Sequence, residues 1–207
     1  MSTEPTTLVL VFEPDNPCNT IITDQQTGKE LYTVGTEHNG PESVTKIFND
    51  DNAQLAQWVW KDLRSDKVTL GQGQPMSASA WLRKSILPFK DTVYFTDLNG
   101  RNFKWKGNAH RLGFELYSET DKKNPVARFK KSYRYKDHKQ SPPKEVYDPA
   151  TLTIAGLGLE ILDTVVISFC ILDKERRARG NGAGEHGAAN TAASVAIPLS
   201  AIVITAN

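Results

Sequence analysis

Short apolar runs with a period of two, the signature of half-buried β-strands, fill most of this chain until one long apolar stretch near the C-terminus breaks the pattern. Thr7–Phe12 is a β-branched apolar run closed by Pro14 and Pro17, and it reads as a first strand buried on both faces. Thr20–Val34 reads as two strands around a turn at Asp24–Gly28, where the Asp side chain caps its own turn and Gly28 takes a positive φ. Ala53–Trp60 and Lys67–Leu70 pair about a polar turn at Asp62–Asp66. Ser77–Lys84 predicts one or two helical turns, with Ser77 as N-cap and Trp81 and Leu82 on the packed face. Val93–Lys106 is a second hairpin, turned at Asn99-Gly100, with Phe103 and Trp105 on one face and Lys104 and Lys106 on the other. Arg111–Tyr117, where Leu112, Phe114 and Leu116 alternate, and Pro125–Tyr135 add further extended segments. Lys136–Pro149 is polar, carries Pro142, Pro143 and Pro149, and reads as a loop.

Leu157–Arg177 is different in kind. Its middle, Ile161–Leu172, is apolar nearly all round rather than on one stripe, so a helix there wants burial on every side. Glu160 and Asp163 near its start, and Lys174, Arg176 and Arg177 at its end, suit the helix dipole. From Gly180 the chain turns to small residues, and Ser194–Ala206 is apolar again, either an edge strand or a tail for contact with another subunit. The two Thr-Asp…Gly hairpins, Thr23-Asp24…Gly28 and Thr96-Asp97…Gly100, suggest a degenerate internal repeat; two unrelated hairpins would give the same letters.

Composition narrows the class. At 207 residues the chain can bury a core without metal or disulfide support, and its formal net charge of +1 argues for neither nucleic acid nor membrane as a whole-chain partner. Two cysteines, Cys18 and Cys170, make no disulfide framework, and the polar, acidic N-terminal segment lacks the pattern of a signal peptide. The expected location is cytoplasmic. A transmembrane helix is not expected, because the longest apolar run is broken by Asp163 and a span takes about 20 apolar residues.

Candidate chemistry is sparse. His38, His110, His138 and His186 are scattered without metal-ligand spacing, and neither a nucleophile elbow nor a phosphate loop occurs. A Cys18 dyad with His38 or His110 is weaker than the reading of Cys18 as a turn residue. Gly156-Leu-Gly158 and Gly71-Gln-Gly73 read as structural turns, and Glu13/Asp15 and Asp50/Asp51 as solvated turn acids. No catalytic residue, metal site or cofactor is therefore assigned. One region stands out: from Lys122 to Lys144 nine basic residues face only Asp121 and Asp137. As one strand, Arg128–Lys136 would put Arg128, Lys130, Arg134 and Lys136 on one face and Phe129, Tyr133 and Tyr135 on the other. Arg128, Lys130, Lys131, Arg134 and Lys136 are thus the candidate residues for an anionic ligand, with a solvated outer face as the plain alternative.

The order of features, from the Thr-Asp…Leu-Tyr hairpin through Trp58-Val-Trp60, Trp81-Leu-Arg-Lys84, Asp97…Trp105-Lys106 and Val126-Ala-Arg-Phe129 to a closing Gly158-Leu-Glu160 helix, resembles a largely basidiomycete fungal family, domain of unknown function 6593. The likeness spans Thr7–Arg177. That family is distantly similar to tubby C-terminal and phospholipid-scramblase-like domains. The resemblance implies a mainly β fold: a closed antiparallel barrel around a hydrophobic C-terminal helix, with residues 1–179 as the barrel domain, its helix at about 157–177, and 180–207 as linker and tail. The resulting expectation is a non-enzymatic binding module for an anionic phospholipid or membrane surface. Two alternatives are an enzyme taking a small hydrophobic molecule at a barrel end and a protein that self-assembles through its tail. Nucleic acid is disfavoured.

Overall fold

The computed structural model describes residues 6–40, 42–60, 66–87, 91–108, 113–139 and 141–182. The apolar tail, most of the expected linker, His110, Leu112 and His186 lie outside the described residues. Strands β1 (Thr7–Glu13), β2 (Thr20–Asp24), β3 (Glu30–Asn39), β4 (Glu42–Asn49), β5 (Gln54–Val59), β6 (Lys67–Leu70) and β7 (Met76–Ser77) form the first half of the chain. A helical turn, α1 (Ala78–Trp81), leads to β8 (Arg83–Lys84), β9 (Val93–Thr96), β10 (Asn102–Lys106), β11 (Phe114–Ser118) and β12 (Ala127–Lys130). Then come β13 (Tyr133–Asp137), β14 (Lys144–Asp148), β15 (Ala150–Ala155), α2 (Leu157–Glu160) and α3 (Leu162–Gly182).

Thirteen strands make one antiparallel sheet in the order β7-β6-β5-β4-β3-β2-β1-β15-β12-β11-β10-β9-β8, while β13 and β14 pair only with each other. Local turn chemistry sets the hairpins. The Asp24 carboxylate accepts from Gln26 N–H and Thr27 Oγ1 as Gly28 turns at φ 71°. Asp97 accepts from the N–H groups of Asn99 and Arg101 as Gly100 turns at φ 76°. These are the two turns the sequence predicts, built on the same Asx geometry. Alternation then sends Leu10, Phe12, Ile22, Val34, Ile47, Trp58, Val68, Phe95, Phe103, Trp105, Phe114, Leu116, Phe129, Leu152 and Ile154 inward, all buried.

That inner face wraps α3. Nine consecutive helix residues, Val165–Asp173, are buried, as all-round apolarity requires. Phe169 meets Phe12, Trp105, Phe114 and Phe129 at ring centroid distances of 4.6–6.2 Å. Trp105 Nε1 donates to Ser168 Oγ at 3.0 Å, which satisfies both groups inside the core. Charged groups pin the helix from both halves of the sheet. Tyr32 on β3 donates to Asp163, Lys174 donates to Asp66 before β6, and Lys84 on β8 pairs with Glu175.

The expected closed barrel is corrected here. No ladder joins the end strands β7 and β8 among the described residues, and the sheet stays open. Both ends are two residues long, and α1 stands between them in the chain. Ala78 and Leu82 are buried there; Ala78 N–H donates to Asp66 O, the last bond of the β6–β7 pairing, and the chain then leaves the sheet edge as a helical turn, with Leu82 N–H donating to Ala78 O. The single helix expected at 157–177 is also two pieces. The chain breaks at Ile161 (φ −121°, ψ 32°), and α3 runs on to Gly182. Gly158 in α2 lies against the β11–β12 connection: a Cβ there would sit 2.5 Å from Val126 O and 2.8 Å from Ile154 Cγ2, so only glycine fits.

Candidate functional site

The basic segment does not run as one strand. β12 ends at Lys130, and β13 starts at Tyr133 in a separate two-stranded ribbon with β14, which falls inside Lys136–Pro149, the segment that composition alone reads as a loop. The break is anchored: Asp15 Oδ2 accepts from Ser132 N–H at 3.1 Å and from Ser132 Oγ at 2.5 Å. Every residue of β13 except Asp137 is exposed, as are Lys144, Glu145 and Tyr147 of β14. Register places Tyr133, Tyr135 and Val146 on one face, where the two tyrosine rings stack at 5.9 Å. Arg134, Lys136, Tyr147 and Glu145 share the other, with the Arg134 guanidinium 5.0 Å from the Tyr147 ring centroid.

The five candidate residues therefore fall into two groups. Arg128 and Lys130 stand on the outer face of the large sheet, and each has an acid beside it: Arg128 Nε is 2.7 Å from Glu115, and Lys130 Nζ is 3.2 Å from Asp148. Lys131 lies in the break, and Arg134 and Lys136 lie on the ribbon. Those three have no ion-pair partner among the described residues, and neither do Lys139 and Lys144 at the ribbon's far end. A cation beside a carboxylate is already partly compensated, so within this basic segment the break and the ribbon carry the available positive charge.

The buried ionisable groups are occupied in holding the structure. Asp173 is fully buried, and it accepts from Arg176 Nε at 3.0 Å and from Arg177 Nε at 2.6 Å. Arg177 reaches on to the Asp15 carboxylate and donates to Asp15 O at 2.8 Å. Burial raises the Asp15 carboxyl, but the Arg177 charge and hydrogen bonds from Ser132 and Arg177 outweigh it and hold the group below its usual 3.8. Burial pushes the Cys18 thiol up to about 12 and raises Cys170 as well, so neither is a thiolate at neutral pH. His38 shares a hydrogen bond with Ser43 Oγ, and His138 is exposed beside the ribbon tip. Among the described residues no group of three His, Cys, Asp or Glu is placed to hold a metal ion, and no helix is long and apolar enough to cross a membrane.

Sequence reasoning misses a second feature. A groove of about 710 Å³ runs between the segment after β8 and the outer face of β9 and β10. Ile86, Leu87 and Tyr94 supply its apolar lining, and Arg83, Lys84, Lys104 and Lys122 its cations, against Glu119. Ile86 is 100% exposed. The available signal was the pair Ile86-Leu87 one residue after Arg83-Lys84, outside any periodic segment. A smaller hollow of about 380 Å³ at the start of α3 holds Asp97, Glu160 and Asp163, of which the first two are bound by Arg101 and the third accepts from Tyr32.

No curated protein matches the chain. The X-ray structure of a protein from Arabidopsis thaliana is similar at 13% identity over 79% of this chain and 90% of that one, with a TM-score of 0.36. Residues 15–178, from the turn that anchors the ribbon to the charged end of α3, match the family of unknown function DUF6593, and the chain belongs to that family.

Proposed function

We propose that this protein is a binding module that docks on anionic lipid surfaces through the β13–β14 ribbon. One observation carries the reading. The ribbon exposes both faces; it and its flanks hold Lys131, Arg134, Lys136, Lys139 and Lys144 without ion-pair partners among the described residues, beside three exposed tyrosines. Tyrosine suits a membrane interface because one end of the ring is apolar and the other wet. Each cation near an anionic leaflet contributes about 1 kcal/mol, and Asp137, Glu145 and Asp148 offset part of that, so the expected binding is weak and salt-sensitive. Kinship with tubby-like and scramblase-like domains, and a fungal source, belong to the same proposal; the former points to lipid as well, by fold-level analogy.

The test is cosedimentation with vesicles of phosphatidylcholine alone or mixed with phosphatidylserine, at low and high salt. Binding should need the acidic lipid and fall with salt. The double variant Arg134→Glu/Lys136→Glu should reduce it by at least about tenfold. Equal binding to neutral vesicles, no binding at all, or an unaffected double variant overturns the reading.

A further inference from the structure

We infer that the groove beside β8 is a site for a single anionic amphiphile, an alkyl chain bearing a phosphate or carboxylate, separate from the ribbon and independent of it. The argument starts from two side chains in the wrong environment. Ile86 is 100% and Leu87 57% exposed, two branched aliphatics side by side in water; among the described residues the only other large aliphatic as exposed is the isolated Leu98. The backbone on either side of Ile86 is hydrogen-bonded. Ser85 N–H donates to Thr92 O at 2.8 Å, continuing the β8–β9 pairing, and Leu87 N–H donates to Ser85 Oγ at 3.2 Å. The backbone thus holds these side chains at the groove, whose lining also takes in Tyr94, 40% exposed.

Charge selects the ligand. The lining carries four cations, Arg83, Lys84, Lys104 and Lys122, and one acid, Glu119. Lys84 is paired with Glu175 at 2.8 Å, and Glu119 accepts from Asn102 Nδ2 at 2.8 Å. Arg83 and Lys122 have no ion-pair partner among the described residues. An apolar lining with uncompensated cations complements a molecule that is apolar along its length and anionic at one end. The volume, about 710 Å³, lies within the roughly 300–1,000 Å³ of ordinary small-molecule sites. A bare phosphate would leave the aliphatic lining in water, and a neutral detergent would leave the cations unanswered.

Calorimetric titration of the full chain with dodecyl phosphate, kept below its micelle threshold, tests this. One molecule should bind per chain. Dodecyl maltoside and inorganic phosphate should each bind at least about tenfold more weakly. Dodecanoate in a parallel arm separates a phosphate preference from a carboxylate one. Lys122→Glu and Ile86→Ser, both exposed and expected to melt like wild type, should each weaken dodecyl phosphate by about tenfold. Arg134→Glu/Lys136→Glu should leave it unchanged. Dodecyl maltoside binding as well as dodecyl phosphate, inorganic phosphate binding as well, displacement by an acidic peptide without an alkyl chain, or a loss caused by the ribbon variant and not by the groove variants would each overturn the inference.

Discussion

Helix α3, whose middle is wrapped by the sheet, and the β13–β14 ribbon, exposed on both faces, both carry clusters of positive charge. In α3 the charge is consumed: Lys174 binds Asp66, Arg176 binds Asp173, and Arg177 bridges Asp173 and Asp15. At the root of the ribbon and on it, Lys131, Arg134 and Lys136 have no ion-pair partner among the described residues. The same residue types therefore do opposite work. At the helix end each cation answers a shielded carboxylate, and removing either partner would leave a charge uncompensated in low dielectric. On the ribbon the cations cost little to keep in water and stay open to a ligand. Asp15 joins the two regions, because its carboxylate takes Arg177 from the helix and Ser132 from the root of the ribbon.

The contrast predicts a gradient of mutational cost. Phe169→Asp is the extreme. Phe169 is 1% exposed, sits among four aromatic rings, and offers a carboxylate no partner, so the variant should fail to fold and be recovered only as insoluble protein. Phe169→Ala should fold with a loss of about 3–5 kcal/mol in urea denaturation. A Phe169→Asp protein that melts like wild type would show that α3 is peripheral.

Asp15→Asn comes next, at about 3 kcal/mol, because it leaves Arg177 with one buried carboxylate instead of two. Its pH dependence has a definite sign. The folded-state carboxyl is held below the ordinary 3.8, so its contribution is fully present above that pH and disappears as pH falls through the lower folded value. The stability gap between wild type and Asp15→Asn should be flat near neutrality and narrow below pH 3.8. A gap that stays constant into acid would mean that the carboxylate charge does not matter. Gly158→Ala should cost less, about 1–3 kcal/mol, through the clash with Val126 O and Ile154 Cγ2; a neutral result in thermal melts would show that α2 can shift away.

Legibility followed burial. The helix announced itself because nine enclosed residues must all be apolar or internally paired, and the inner sheet face wrote its alternation into Phe103/Trp105 and Phe114/Leu116. The Asp24 and Asp97 turns were legible because their chemistry is local. Strand β14 was not, since Lys144-Glu-Val-Tyr-Asp148 has no buried face to print a period and follows two prolines. Closure was a matter of which edges meet: the helical turn after Ser77 was legible, but not that the short strands on either side of it, β7 and β8, would be the two unjoined ends of the sheet. Of the site, the five cations were visible as a run, but their division into paired and unpaired groups depends on Glu115 and Asp148, which the fold brings in from other strands. The groove depends on topology in the same way, through Tyr94, Lys104 and Lys122.

The smallest expected effect is the one that bears most on function. Tyr133 and Tyr135 are 62% and 41% exposed, and they stack on each other rather than on the sheet. Truncating either removes little buried area, so Tyr133→Ala and Tyr135→Ala should each change stability by less than about 0.5 kcal/mol. Aromatic side chains that contribute so little to the fold are expensive to expose unless something covers them. If an acidic membrane does, Tyr133→Ala/Tyr135→Ala should melt like wild type yet lose several-fold in vesicle binding, and that residual binding should be more salt-sensitive because only the cations remain. A double variant that is clearly destabilised would place the ribbon in the folded core. One that is stable and binds vesicles as wild type does would leave the cations as the whole of the interaction and remove the tyrosines from it.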